Sequence, residues 1–142
     1  MKYHVRAHGD DFPAFTAGLS AAMQLANQAP QKSLLIRVGL LANAKGIMAN
    51  VLGEKFVKTL IKDKNIRINS QGFVMEIFLE GDSTRRSDFR GGVVFCPWIT
   101  LDSLDEVMRD RRTIDSVFVP WVPDELKGYL SKYPDSTEIH KN

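Results

Sequence analysis

The sequence predicts a three-layer α/β sandwich of Rossmann-like character, with a mostly parallel sheet and an antiparallel hairpin inserted near residues 66 to 79. Three observations carry this. Short apolar runs alternate with stretches of helical spacing along most of the chain. A run of turn formers, Asn69, Ser70, Gln71 and Gly72, parts two apolar runs by a hairpin's length. Finally, Val94, Phe95, Cys96, Pro97 and Trp98 are answered 23 residues later by Val117, Phe118, Val119, Pro120 and Trp121. Each copy is followed by a helical stretch, and the spacing holds one crossover helix between parallel neighbours.

Lys2 to His8 alternate polar and apolar residues, the two-residue period of a strand. Asp10 or Asp11 then offers an N-cap and Pro13 a tolerated early proline. Phe15, Leu19, Ala22, Met23 and Ala26 follow at helical spacing, ending near Pro30. Ser33 to Val38 reads as a second strand interrupted by Arg37. Gly39 breaks it, and Asn43 is a candidate cap for the next helix.

Ile47, Val51 and Leu52 begin that helix, which Gly53 ends or kinks. Phe56, Val57, Leu60 and Ile61 continue its apolar stripe, with Lys55, Lys58 and Lys62 on the opposite face. Ile66 to Ile68 and Phe73 to Leu79 are the two hairpin strands, and Glu80 to Gly92, nearly free of apolar residues, is a long loop. Thr100 or Asp102 caps a helix through Leu101, Leu104, Val107 and Met108. A last helix begins at Pro123, with Asp124 and Glu125 beside its positive end. Residues 1 to 134 are expected as one domain and 135 to 142 as a C-terminal tail.

A chain of 142 residues with 44% hydrophobic and 25% charged residues suits one core and excludes disorder and fibrous repeats. The single cysteine, Cys96, forms no internal disulfide, which favours a reducing compartment. The first residues lack an apolar signal region, and no apolar run approaches the ~20 residues of a membrane span. A cytoplasmic protein without membrane attachment is expected. The net charge of +2 is unevenly spread. Lys45, Lys55, Lys58, Lys62, Lys64 and Arg67 outweigh Glu54 and Asp63, whereas Asp115, Asp124, Glu125, Asp135 and Glu138 outweigh Lys127 and Lys132. The molecule is expected to have a positive and a negative side.

In an open parallel sheet, ligands bind at the carboxyl ends of the strands, where loops and positive helix ends gather. That rule selects His8 to Asp11, Gly39 to Gly46 and the two Pro-Trp turns. Trp98 and Trp121 are expected side by side, either stacking on a flat ring or forming a packed lid over the core. His8, Asp10 and Asp11 place a base candidate beside two carboxylates, although either aspartate also serves as a plain N-cap. Arg85, Arg86 and Arg90, flanked by Gly81, Gly91 and Gly92, form a basic loop suited to an anion. Arg109, Arg111 and Arg112 have a sufficient role at a helix C-terminus.

Other motifs exclude more than they offer. His4 and His8 lack a third ligand, so no metal site is assigned. Gly39 to Gly46 lacks both the Gly-Lys-Ser/Thr order of a phosphate loop and the glycine pattern of dinucleotide folds, and no cofactor is identified. Cys96 reads first as a small buried hydrophobe and second as a strand-end thiol. No Gly-x-Ser-x-Gly elbow occurs. The lysine stripe has no interleaved aromatics, which makes nucleic acid a minor reading.

Three functions remain open. The leading one is a small-ligand-binding module for a phosphorylated or nucleotide-like anion, held by Trp98, Trp121, Arg85, Arg86 and Arg90. The second is an interaction or accessory subunit, including a homo-oligomer, that assembles through the hairpin edge and the charge asymmetry. The third is a small hydrolase or transferase using His8 with Asp10 or Asp11, or Cys96.

Overall fold

Apolar residues that alternate along strands demand cover on both faces, and this sheet has it. The computed structural model describes residues 1–7, 11–39, 41–70, 72–82 and 86–140, with backbone alone at 41–45, 70 and 73. Its elements run β1 (Lys2–Val5), α1 (Phe12–Gln28), β2 (Ser33–Arg37), α2 (Leu41–Leu52), α3 (Glu54–Asp63), β3 (Asn65–Ser70) and β4 (Phe73–Glu80). They continue with β5 (Gly92–Pro97), α4 (Leu101–Arg109), β6 (Thr113–Val119), α5 (Pro123–Lys132) and β7 (Thr137–Ile139).

The seven strands form one sheet in the order β3-β4-β2-β5-β6-β1-β7. Among the described residues, β3 alone runs antiparallel, against β4, and every other pairing is parallel. The antiparallel hairpin expected near residues 66 to 79 is β3 with β4, and β4 joins it to the rest of the sheet by pairing in parallel with β2 from Ser33↔Glu76 to Arg37↔Glu80. The repeated strands β5 and β6 are parallel neighbours, aligned Phe95↔Val117 and Cys96↔Phe118.

Successive residues of each strand feed two cores. Leu34, Ile36, Phe95, Val117 and Val119 pack under Phe15, Leu19 and Ala22 of α1, Met48 of α2, and Val57 and Leu60 of α3. Leu35, Val94, Cys96 and Phe118 pack on the other face under Leu104 and Val107 of α4 and Tyr129 of α5. This is the three-layer sandwich. Helix α1 lies so close to the sheet that a β-carbon at Gly18 would stand 2.8 Å from Val119 and 2.9 Å from Phe95, so this position admits glycine alone without repacking. Moving from β1 to β2 the chain crosses one face, and moving from β5 to β6 it crosses the other in the opposite direction, as right-handed crossovers require.

Several expectations are corrected. Helix α2 begins at Leu41, two residues before the cap expected at Asn43. Of the two alternatives read at Gly53, the helix end holds: at φ 94° this glycine divides α2 from α3, since a residue at positive φ cannot continue a right-handed helix. The segment expected as a tail contributes β7, paired with β1 from Tyr3↔Thr137 to Val5↔Ile139. Three residues are too few to show alternation, so this strand leaves little trace in the sequence. The long loop is tethered as well: Phe89 is buried in the α4/α5 core, covering the sheet where the described residues of the β4–β5 crossover supply no helix. The opposing charges fall at opposite edges, the lysines on α3 beside edge strand β3, the acidic segment on α5 and β7.

Candidate functional site at the carboxyl edge

Strands β2 and β5 are adjacent, yet the chain leaves β2 toward α2 on one face and leaves β5 toward α4 on the other. Such a switch point opens a crevice because neighbouring loops diverge. A crevice of about 230 Å³ lies there, walled by Phe15, Val38, Gly39, Met48, Trp98 and Thr100, with Ile47, Pro97 and Ile99 completing the apolar lining and Asp82 at its polar side. Helix α2 flanks it through Ile47 and Met48, and that helix has no acidic residue in its first turn. Thr100 caps α4, its Oγ1 accepting from the Ser103 N–H at 3.2 Å.

Trp98 is the most constrained residue of this lining. The chain turns sharply after β5, and Trp98 adopts φ 58°, a conformation costly for a bulky residue. Its backbone N–H donates to the Val119 carbonyl at 2.7 Å, which locks the turn against the end of β6. The indole packs on Phe15 with centroids 5.5 Å apart and meets Trp121 edge to face at 5.0 Å and 78°. Its Nε1 is buried with no hydrogen-bond partner among the described residues.

The two tryptophans thus come together as expected, and their arrangement defines what they offer. Indoles already in edge-to-face contact leave no slot between them for a third ring. Trp98 is a wall of the crevice and a lid over Phe15, while Trp121, 42% exposed, packs behind it and lies outside the lining.

Asp82 lies just past the end of β4. Its N–H donates to the Gly39 carbonyl at 2.7 Å. Its Oδ1 accepts from Arg37 Nη2 at 2.8 Å and from Ser103 Oγ at 2.9 Å. Arg37, read as an interruption of its strand, is in fact buried and donates to the Val38 carbonyl as well. Beyond Asp82 lies a second cavity of about 380 Å³ between the β4–β5 crossover and α4, lined by Arg37, Arg86 and Arg112 against Glu80, Asp82, Glu106 and Asp110. Arg112 is not a helix-end cation: it donates to Glu80, Asp110 and the Phe89 carbonyl. Burial opposes the charge on Glu80, but hydrogen bonds from Arg112 and Ser87 outweigh it and hold the carboxyl below its usual range. Hydrogen bonding from Arg112 does the same for Asp110. This cavity is lined by an ion cluster whose arginines and carboxylates pair with one another.

The remaining candidates are dispersed. His8, Asp10 and Arg85 lie outside the described residues. Asp11 caps α1, its Oδ1 accepting from the Ala14 N–H at 2.9 Å. Arg86 is exposed and stands 3.8 Å from Asp110, and Arg90 is exposed and outside the crevice lining. Cys96 is fully buried among Phe118 and Leu104, and burial pushes its thiol up to about 12, away from the thiolate a nucleophile needs.

One constellation was absent from the sequence reading. His4 is buried on β1, with Nδ1 2.8 Å from Ser136 Oγ, which is 2.7 Å from the Tyr129 hydroxyl; Glu138 stands 3.7 Å from Nε2. These contacts tie the approach to β7 onto β1 and α5. Among the described residues, no group of three or more His, Cys, Asp or Glu side chains is placed to hold a metal, and no helix is long and apolar enough to cross a membrane.

No known protein-family profile matches the chain, and no curated protein matches it in sequence.

Proposed function

We propose that this protein is a small-ligand-binding α/β module whose site is the β2/β5 crevice. The ligand is nucleotide-like: a flat ring against Trp98, Phe15 and Met48, with an anionic group directed out toward the start of α2. The observation that carries this reading is Trp98, which bears two local costs, a left-handed backbone and a buried indole N–H without a partner among the described residues, on the wall of a crevice at a topological switch point. Strain and unsatisfied polar groups concentrate where a fold is shaped for a ligand rather than for stability alone. The first turn of α2, free of acidic side chains, supports the anionic end through the positive pole of the helix dipole.

The test is a thermal-shift and tryptophan-fluorescence screen of nucleotides, sugar phosphates and organic acids. It is run on the native chain, on Trp121→Phe, whose emission comes from Trp98 alone, and on Ile47→Phe, which narrows the crevice. A ligand in ~100-fold excess over its Kd raises stability by about 2.7 kcal/mol. The expected outcome is such a rise with a change in Trp98 emission, retained in Trp121→Phe and lost in Ile47→Phe. A ligand that binds equally well to Ile47→Phe places its site elsewhere, and a null screen on folded protein removes the reading.

A second reading has its own observation. Opposite charge at the two edges of one sheet suits assembly with a partner or a second copy through edge strand β3 or β7. Sedimentation velocity across a range of protein and salt concentrations tests it, with salt-sensitive association as the expected outcome.

A further inference from the structure

We infer that the crevice selects rings bearing N–H donors, of the amino-substituted purine or pyrimidine class, through Asp82 Oδ2. This rests on the reading of the crevice as a ligand site and names what the site reads.

Asp82 carries the only charged side chain among the described lining residues. It is oriented before any ligand arrives. Its backbone N–H is fixed to Gly39, and the two lone-pair directions of Oδ1 are taken by Arg37 and Ser103. Ser103 is itself held at the α4 cap, its Oγ 3.2 Å from Thr100 Oγ1. Oδ2 accepts no hydrogen bond from the described residues, and it lies on the Gly39 side, 3.7 Å from where a β-carbon on that glycine would stand. Gly39 and Asp82 both line the crevice, which places the open oxygen at its Gly39 border.

An ionised carboxylate only accepts, so the group that meets Oδ2 must donate. The walls on either side are aromatic and aliphatic, which suits the faces of a planar ring. A ring amine or protonated ring nitrogen satisfies both demands. A ring presenting a bare acceptor there would set lone pair against lone pair, and a phosphoryl group would set charge against charge. The ring therefore enters first and any phosphate remains outside, which fixes the ligand's orientation. Hydrogen bonds to a charged acceptor are the stronger kind, so Asp82 is a specificity-determining residue of this crevice.

The experiment is calorimetric titration of the native chain with two matched pairs that differ by one exocyclic amine: guanosine and inosine monophosphates, and adenosine and purine riboside monophosphates. The result expected is at least ~10-fold tighter binding of the amino member in one pair, with that preference abolished in Asp82→Asn. Gly39→Ala, which keeps both bonds to Oδ1 and sets a methyl beside Oδ2, is expected to reduce the preference in a chain of unchanged melting temperature. Equal affinity within both pairs, or a preference that survives Asp82→Asn and Gly39→Ala, overturns the inference while leaving a binding crevice intact. Absence of binding by all four overturns it too. The broader screen with Ile47→Phe then decides separately whether the crevice binds anything.

Discussion

Arg112, at the turn into β6, places Nη1 and Nη2 each 2.9 Å from the two carboxylate oxygens of Glu80, the last residue of β4. The same guanidinium holds Asp110 and the Phe89 carbonyl, and Glu80 accepts from both the backbone and the hydroxyl of Ser87. One side chain thereby pins the β4–β5 crossover, which has no helix among its described residues, to the α4–β6 turn. Removing one member of a buried pair leaves an uncompensated charge. Arg112→Ala is expected to lower unfolding free energy by roughly 3–5 kcal/mol in urea denaturation. A loss below about 1 kcal/mol would put this pair in the class of solvated surface bridges.

His4 gives stability a pH dependence of known sign. Burial lowers its pKa from the usual 6.5, with Arg6 also lowering and Glu138 raising it. The folded chain therefore holds His4 neutral while the unfolded chain takes up the proton first. The associated stability is present above about 6.5 and is lost as pH falls from there toward the folded value. Comparing urea midpoints at pH 7.5 and 5.5 for the native chain and His4→Gln tests this. The native chain is expected to lose more than the variant, and equal losses would assign the dependence to other groups.

The carboxylates act lower on the scale. Asp110, through hydrogen bonds from Arg112, and Glu80, despite its burial, are both depressed, so their contribution is present at neutral pH and is lost as pH falls below the usual carboxylate range toward their lowered folded values. Arg112→Ala is expected to flatten the acid limb of the native stability curve. An unchanged acid limb in the variant would trace that limb to carboxylates outside the cluster.

What the sequence disclosed follows the range of the interactions involved. Local periodicity identified β1, α1, β2 and the paired Phe-Cys-Pro-Trp and Phe-Val-Pro-Trp strands, because apolar spacing is written in neighbouring residues. The partners of β4 and the existence of β7 depend on residues far along the chain, and nothing local to Thr137–Ile139 marks a strand. The same divide runs through the candidate site. Trp98 was visible as a strand-end aromatic. Asp82 was not, although it occupies the same kind of position, because the rule about carboxyl ends applies to β4 only once its parallel pairing with β2 is known. Arg112 and Glu80 stand 32 positions apart, and no spacing in the sequence announces their contact.

Cys96 tests the catalytic alternative. A fully buried thiol with its pKa pushed up to about 12 has negligible thiolate at neutral pH and no path to solvent. Ellman's reagent is expected to leave the native chain unmodified over minutes and to titrate one thiol in denaturant. Rapid native reaction would restore Cys96 as a nucleophile candidate.

Trp98 separates the cost of an unsatisfied donor from the gain of aromatic burial. The buried indole N–H forfeits ~1–3 kcal/mol of solvation that Trp98→Phe recovers, offsetting part of the area lost with the second ring. Both residues pay the same backbone cost at φ 58°, so conformation drops out of the comparison. Trp98→Phe is therefore expected to change stability by less than about 1 kcal/mol, whereas Trp98→Ala, which strips the cover from Phe15 and Trp121, is expected to lose about 3–5 kcal/mol. Urea denaturation of the three proteins measures both differences. Equal losses in the two variants would mean that the indole N–H is satisfied in solution, and the argument from an unpaired donor on the crevice wall would lose its force.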